Sequence, residues 1–256
     1  MGNQNPGKER IKNSSKKKKH HIYAAVVLLL GIAILILSLI LLFYVRKVEI
    51  VGNEYSDSQE IAASVQNDKL SVNSLYVLAK YSFGKGQKPE YLDALQVSLK
   101  NPWTLKVTVK EKTIVGCVQS GKTYSYFDRD GLVVRETAVK DNKIPVVKGM
   151  KITKNQLYTQ IKTSNQAKFS EILEACEESQ KYEIYPEKIY VKEEQIYMSF
   201  GNVNACLGNQ VSSEQIAQIK PILKKLGEKK GILHLENYSE NNTTITFEME
   251  EISQEN

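Results

Sequence analysis

The amino-acid sequence predicts an α+β protein carried on a single transmembrane helix. Three observations predict it. Residues 22–45 form one uncharged apolar run. Four later stretches repeat their apolar residues at helical spacing, and most of the segments between them alternate with period two, as half-buried strands do. At 256 residues the chain has room for one or two domains with cores of their own.

The run IYAAVVLLLGIAILILSLILLFYV at 22–45 reaches roughly 36 Å as a helix, against a hydrocarbon core of about 30 Å. Tyr23 and Tyr44 stand where interfacial aromatics belong. A cleaved signal peptide would have a shorter apolar region and a small-residue cleavage site. Here the run leads into Phe43-Tyr44-Val45-Arg46 without an A-x-A pattern, so it reads as an uncleaved anchor. Lys8, Arg10, Lys12, Lys16, Lys17, Lys18 and Lys19 precede it, and Arg46 and Lys47 follow it. The excess predicts a cytoplasmic basic tail at 1–21 and extracytoplasmic domains from 46 onward. The tail is rich in Gly, Asn, Ser and Lys and reads as disordered.

That tail accounts for the whole formal charge of +6, because the other 235 residues balance at 28 basic and 28 acidic. A nucleic-acid partner is excluded on this ground, since its footprint needs a basic face. The catalytic inventory is also thin. Cys117, Cys176 and Cys206 show no C-x-x-C or Cys/His spacing and read as small buried hydrophobes. His234 is the single histidine beyond the anchor, and it sits on an expected strand. No nucleophile-elbow, zinc-protease or phosphate-loop motif occurs in the ectodomain. The chain is therefore read as a non-enzyme with no cofactor and no metal. Asp128-Arg129-Asp130-Gly131 fails as a calcium loop, because its sixth and twelfth positions are Val133 and Val139.

After the anchor, 48–51 reads as a strand ending at Gly52-Asn53. Asp57 and Glu60 suit the start of a helix whose buried stripe is Ile61, Ala62 and Val65. A second helix is expected over 73–81, and alternating strands over 95–99 and 105–109. The order β-α-α-β-β defines a small domain at 46–112. From 113 to 250 a second, β-rich domain is expected, with 251–256 as a short tail. Its strands are read at 114–118, 123–127, 132–136, 145–147, 188–191, 195–200, 203–207, 232–236 and 243–250. Helices are read at 169–178 and 213–229, the latter with a bend at Pro221. Asp130-Gly131 marks a hairpin between the strands at 123–127 and 132–136. In the last strand Ile245, Phe247 and Met249 face one way, and Thr244, Thr246, Glu248 and Glu250 the other.

These residues resemble a known family. Val48-Glu49-Ile50-Val51-Gly52-Asn53, just beyond a single anchor, looks like the opening of a POTRA domain. Pro102-x-Thr104-Leu105-x-Val107-x-Val109-x-Glu111-Lys112 is similar to the P-x-T-L-x-I-x-V-x-E-R signature of the bacterial division proteins FtsQ and DivIB. Asn73-Ser74-Leu75-Tyr76, Tyr126-Phe127-Asp128-x-Asp130-Gly131 and Ile144-Pro145-Val146-Val147-x-Gly149 resemble further family motifs in the family's order. Lys112 in place of Arg is a departure, as are the long loop at 83–89 and the near absence of a tail beyond Glu250.

The resemblance implies a POTRA domain at 46–112 and a β domain at 113–250, in a divisome scaffold at the septum. The implied partners are FtsL-like and FtsB/DivIC-like single-pass proteins and, through them, the septal peptidoglycan synthase complex. It also implies docking near the end of the β domain. The last strand would accept a partner strand at Thr244, Thr246, Phe247 and Glu248, with Tyr238 as a side-chain anchor. Two other classes compete: a membrane-anchored cell-wall enzyme using one cysteine beside His234, and a POTRA-type assembly or chaperone module for exported proteins.

Overall fold

A computed structural model describes residues 6–250 of the chain, with side chains from His21 onward. The expected tail at 251–256, like residues 1–5, lies outside the described residues.

The first helix, α1 (Pro6–Leu42), is longer than the apolar run predicts. It starts at Pro6, so the basic segment expected to be a disordered tail is helical from that point. Proline suits a first helical turn, and lysines add little cost once the apolar stretch has nucleated the helix. Residues 21–42 have the length and hydropathy of a membrane span or a signal sequence. The helix stops at Leu42, three residues before the apolar run ends, because Phe43–Arg46 spend their backbone groups elsewhere. Ser74 donates to the Phe43 carbonyl (2.8 Å), Val45 to Val72 (2.8 Å) and Arg46 to Trp103 (2.9 Å).

The described chain forms two compact units. The first holds the residues up to Asn53, Asp57–Lys88 and Leu95–Val109. In order along the chain come β1 (Lys47–Val51), α2 (Ser58–Val65), a 3-10 turn (Lys69–Val72), α3 (Ser74–Ser82), β2 (Leu92–Asn101) and β3 (Thr104–Glu111). The sheet order is β1-β3-β2, with β1 parallel to β3, which requires a crossover that the helices supply. Asp57 caps α2 by accepting from the Gln59 amide, and Asn73 caps α3 by accepting from Tyr76. Ile61, Val65, Val77, Leu105 and Val107 are fully buried. Gly52 turns away from β1 at φ +95°, where a Cβ would lie 2.3 Å from the Val109 carbonyl oxygen, so only glycine fits.

The second unit comprises Glu54–Ser56, Pro89–Ala94 and the chain from Lys110. Its strands are β4 (Ile114–Ser120), β5 (Thr123–Asp128), β6 (Val133–Thr137), β7 (Val146–Lys148), β8 (Ile152–Lys154), β9 (Lys162–Thr163), β10 (Lys188–Lys192), β11 (Gln195–Phe200), β12 (Val203–Gly208), β13 (Gly231–His234) and β14 (Thr246–Met249). Its helices are α4 (Gln166–Lys181) and α5 (Ser213–Leu226). Nine strands form one mixed sheet in the order β14-β13-β12-β11-β10-β7-β4-β5-β6, while β8 and β9 pair apart.

The helices supply Phe169, Ile172, Cys176, Ile216 and Ile219 to the core, against Phe127, Ile189, Ile196, Met198, Leu207 and Leu233 of the sheet. α4 starts three residues earlier than the periodicity predicts because Asn165 caps it. α5 opens on a capping box of Ser212 and Gln215 and ends at Leu226 with Gly227 as its C-cap, short of the expected 229, with Pro221 held inside it. β8 and β9 occupy a stretch where the sequence predicts no element. Gly149 is the second glycine that the backbone demands. At φ +78° its Cβ would come within 2.1 Å of the Val191 carbonyl oxygen.

The Glu111-Lys112 pair at the end of the P-x-T-L stretch has a clear physical job in this unit. The Glu111 carboxylate accepts from the backbone amides of Glu54 (2.8 Å), Tyr55 (3.1 Å) and Ser56 (2.8 Å). Lys112 Nζ lies 2.6 Å from the buried Asp128 Oδ2 and 3.3 Å from Asp130. The other Asp128 oxygen accepts from the Asp130 and Leu132 amides, which sets the β5–β6 hairpin. Burial opposes the charge on Lys112, but Asp128 and Asp130 outweigh it and raise its pKa.

Candidate partner-binding edge

Among the described residues β14 is the last strand of the nine-stranded sheet and pairs only with β13. The pairing is antiparallel, with Ile232 opposite Glu248 and His234 opposite Thr246. The strand covers Thr246–Met249, shorter than the 243–250 that alternation predicts. Residues 243–245 are drawn into the turn that precedes it, where Ser239 and Asn242 bridge and Thr244 donates to the Asn242 side chain (3.2 Å).

The direction of each backbone group follows from three hydrogen bonds. Gly231 donates to Asn202 (3.1 Å) and Leu235 to Cys206 (2.9 Å), so the odd-numbered residues of β13 serve β12. Glu250 donates to the Lys230 carbonyl (3.0 Å), so the even-numbered residues of both strands serve the β13–β14 ladder. Thr246 and Glu248 therefore point their backbone inward. Phe247 and Met249 point theirs outward, away from β13. Among the described residues those outward N–H and C=O groups have no backbone partner.

The expected site residues fall into two groups. Thr246, Phe247 and Glu248 lie on β14, Phe247 half-buried against the core and the other two exposed. Tyr238 and Thr244 lie in the loop between β13 and β14. Tyr238 is half-buried against the core and lines a cavity of about 940 Å³ beside Gln215 and Glu236. Met249, expected to face inward with Ile245 and Phe247, is 62% exposed because the core ends before it. The sequence reading gave no sign that Met249 turns its backbone outward at an exposed position. The parity of a single hydrogen bond, at Glu250, decides it.

His234 ties the edge strand down from one side. Its Nδ1 lies 2.8 Å from Glu236 and its Nε2 3.3 Å from Glu248 of β14. Burial disfavours the imidazolium, but the two carboxylates outweigh it and raise the His234 pKa above the ordinary value.

Cys206 is the register neighbour of His234 across β12 and β13. It offers no activated thiolate. Its sulfur lies 3.4 Å from Gln195 Oε1, both imidazole nitrogens are engaged by carboxylates, and burial pushes the thiol pKa up. Burial likewise pushes Cys117 up to about 12 and raises Cys176. All three cysteines are free and buried. Among the described residues no group of three His, Cys, Asp or Glu is placed to hold a metal ion.

No protein-family model matches this chain, and no curated protein matches it.

Proposed function

We propose that this chain is a single-pass, non-enzymatic scaffold of the FtsQ/DivIB type, with a POTRA domain at 46–112 and a β domain at 113–250. The N-terminus is cytoplasmic and both domains are extracytoplasmic at the division septum. There the scaffold binds FtsL-like and FtsB/DivIC-like partners and through them acts on septal peptidoglycan synthesis. The observation that carries the reading is the β14 edge, whose outward groups at Phe247 and Met249 form a ready template for a partner strand. Support also comes from the physical roles of residues in the motifs behind the resemblance: Gly52, Asn73, Glu111, Lys112, Asp128 and Gly149 each hold a turn, a cap or a hairpin. The cysteine-enzyme reading loses ground because each thiol is buried with its pKa raised.

The test is co-purification of the detergent-solubilised full chain with FtsL-like and DivIC-like partners, beside Met249→Pro. That substitution removes an outward N–H from an exposed edge position, where proline is tolerated. Losing one strand-to-strand hydrogen bond and the fit around it lowers affinity by about tenfold. Capture by the parent and weak capture by the variant supports the reading. Equal capture by both keeps the scaffold and moves its interface away from β14. No capture by the parent sinks the division assignment.

A further inference from the structure

We infer that the first unit carries a lipid-contact surface where α1 ends, formed by Leu70 and Val72 of the 3-10 turn, Trp103 of the β2–β3 turn and Tyr44. The inference rests on the reading of α1 as a membrane anchor.

These four side chains are large and apolar or aromatic, yet exposed: Leu70 62%, Val72 48%, Trp103 41% and Tyr44 52%. Chain connectivity fixes where they stand. The span from His21 to Leu42 has 22 residues, which makes a helix of about 33 Å for a hydrocarbon core of about 30 Å. No slack remains, so a spanning helix places Leu42 at the exit boundary.

The next five residues are clamped to this surface. The Phe43 carbonyl accepts from Ser74, Val45 donates to Val72, and Arg46 and Lys47 donate to the Trp103 carbonyl. Tyr44 bridges Asn73. Ser74 Oγ in turn donates to the Pro102 carbonyl, which locks the β2–β3 turn onto the start of α3. Even a fully extended chain from Leu42 to Arg46 covers only about 14 Å. Interfacial layers on each side of a bilayer are about 5–8 Å deep. Val72 and Trp103 therefore stand within or just above the headgroup layer.

The surface is rigid and has the chemistry of an interface. Asp68 accepts from the Leu70 and Ser71 amides, and Lys80 Nζ holds Asp68 at 2.7 Å, so Leu70 is presented on a fixed turn. The Arg46 guanidinium lies 5.9 Å from the Trp103 ring centroid, and Lys69 is exposed beside Leu70. Aromatic rings with cationic tips are the side chains that settle at headgroup level. The occupant is the leaflet into which α1 emerges, reached by continuity with the anchor itself.

Trp103 is the chain's single tryptophan, so its own emission reports its depth. The full chain is reconstituted in phosphatidylcholine vesicles, with and without lipid brominated near the headgroup end of its acyl chains, and floated on a density gradient. The expected result is blue-shifted emission that is lost to the brominated lipid and resists aqueous iodide. Replacing Leu70 and Val72 together by serine, at exposed positions where folding tolerates it, lessens the bromolipid loss; an undiminished loss would overturn the part given to the 3-10 turn. Protein that floats while iodide alone quenches Trp103 overturns the lipid contact and leaves the anchor standing, with a protein partner as the remaining cover. Protein that fails to float overturns the anchor, and the contact with it.

Discussion

Strands β6 and β14 are the two edges of the same nine-stranded sheet, and the chain treats them differently. At β6 the segment following β8 folds back along the edge. Val133 donates to Thr159 (3.0 Å) and accepts from Tyr158 (2.8 Å), while Ile161 donates to the Gly131 carbonyl (2.8 Å). At β14 the outward groups of Phe247 and Met249 meet no backbone among the described residues. An uncovered edge invites association, so proteins that must stay monomeric there cover or blunt it. One edge of this sheet is covered at its start, at Val133, by its own chain, while the other is short, open and rimmed by charge at Glu248 and Glu250. Outward groups left open, as at Phe247 and Met249, are what an added strand would need.

Ile161→Ala is the largest way to break the contrast. Ile161 is almost fully buried and pins the covering segment. Removing its side chain is expected to destabilise the unit by about 2–5 kcal/mol. It should also speed amide exchange at Val133 and Ile161. Denaturant melts with hydrogen exchange read both. If the two amides stay protected while stability falls, the covering segment is held by something other than this residue.

The ion pairs sharpen the same comparison. At the hairpin that leads into β6, Lys112 meets Asp128, whose side chain is 2% exposed. At β14, His234 meets Glu248, whose side chain is 74% exposed. Breaking the first pair leaves a buried carboxylate uncompensated, so Lys112→Met is expected to cost about 3 kcal/mol. The measurement is the denaturation midpoint of the variant against the parent; a loss under about 1 kcal/mol would place the pair with ordinary surface bridges.

Smaller again is the effect of Thr246→Pro. The Thr246 backbone faces His234, so proline there breaks the β13–β14 ladder instead of the open side. Exchange at Ile232 and His234 should quicken, with the rest of the sheet unchanged. Met249→Pro should leave those amides alone. Identical exchange in both variants would contradict the assigned direction of the edge groups.

Much of this contrast was legible in the sequence, and the rest was not for definite reasons. Alternation located the strands at 105–109, 123–127 and 195–200, because one face of each is buried and the other is not. Asp130-Gly131 announced the hairpin that Asp128 holds. The cover over β6 was invisible, because residues 156–161 carry no period and their partners at Gly131 and Val133 are remote in sequence. The start of α1 was misplaced because lysine content suggests disorder until an apolar helix is attached to it. Alternation located the strand that carries Thr246, Phe247 and Glu248, and the family resemblance made it the expected docking strand, but which residues aim backbone outward depends on how β13 divides its hydrogen bonds between β12 and β14. Side-chain pattern does not encode that parity. Met249 accordingly looked like core and stands exposed at the open edge.

The subtlest difference between the edges is expected in their pH dependence. His234 bridges β13 to Glu248 on β14, with Glu236 on its other nitrogen, and these carboxylates raise its pKa in the folded chain. A group whose pKa is higher folded than unfolded binds its proton more tightly in the folded state. Its contribution is therefore fully present below the unfolded value of about 6.5 and fades as pH rises through the raised folded value. The hold on β14 should thus be firmest in mild acid and loosen above neutrality, by well under about 1 kcal/mol given the exposure of Glu248. No such titration is expected at the covered start of β6, where backbone pairing and an aliphatic side chain do the holding. Amide exchange at Ile232 and Glu248, corrected for the intrinsic pH dependence and compared with Val133, measures it between mild acid and mild alkali. His234→Gln should flatten the response at β14 and leave Val133 unchanged; a slope that survives the substitution would assign it to another group.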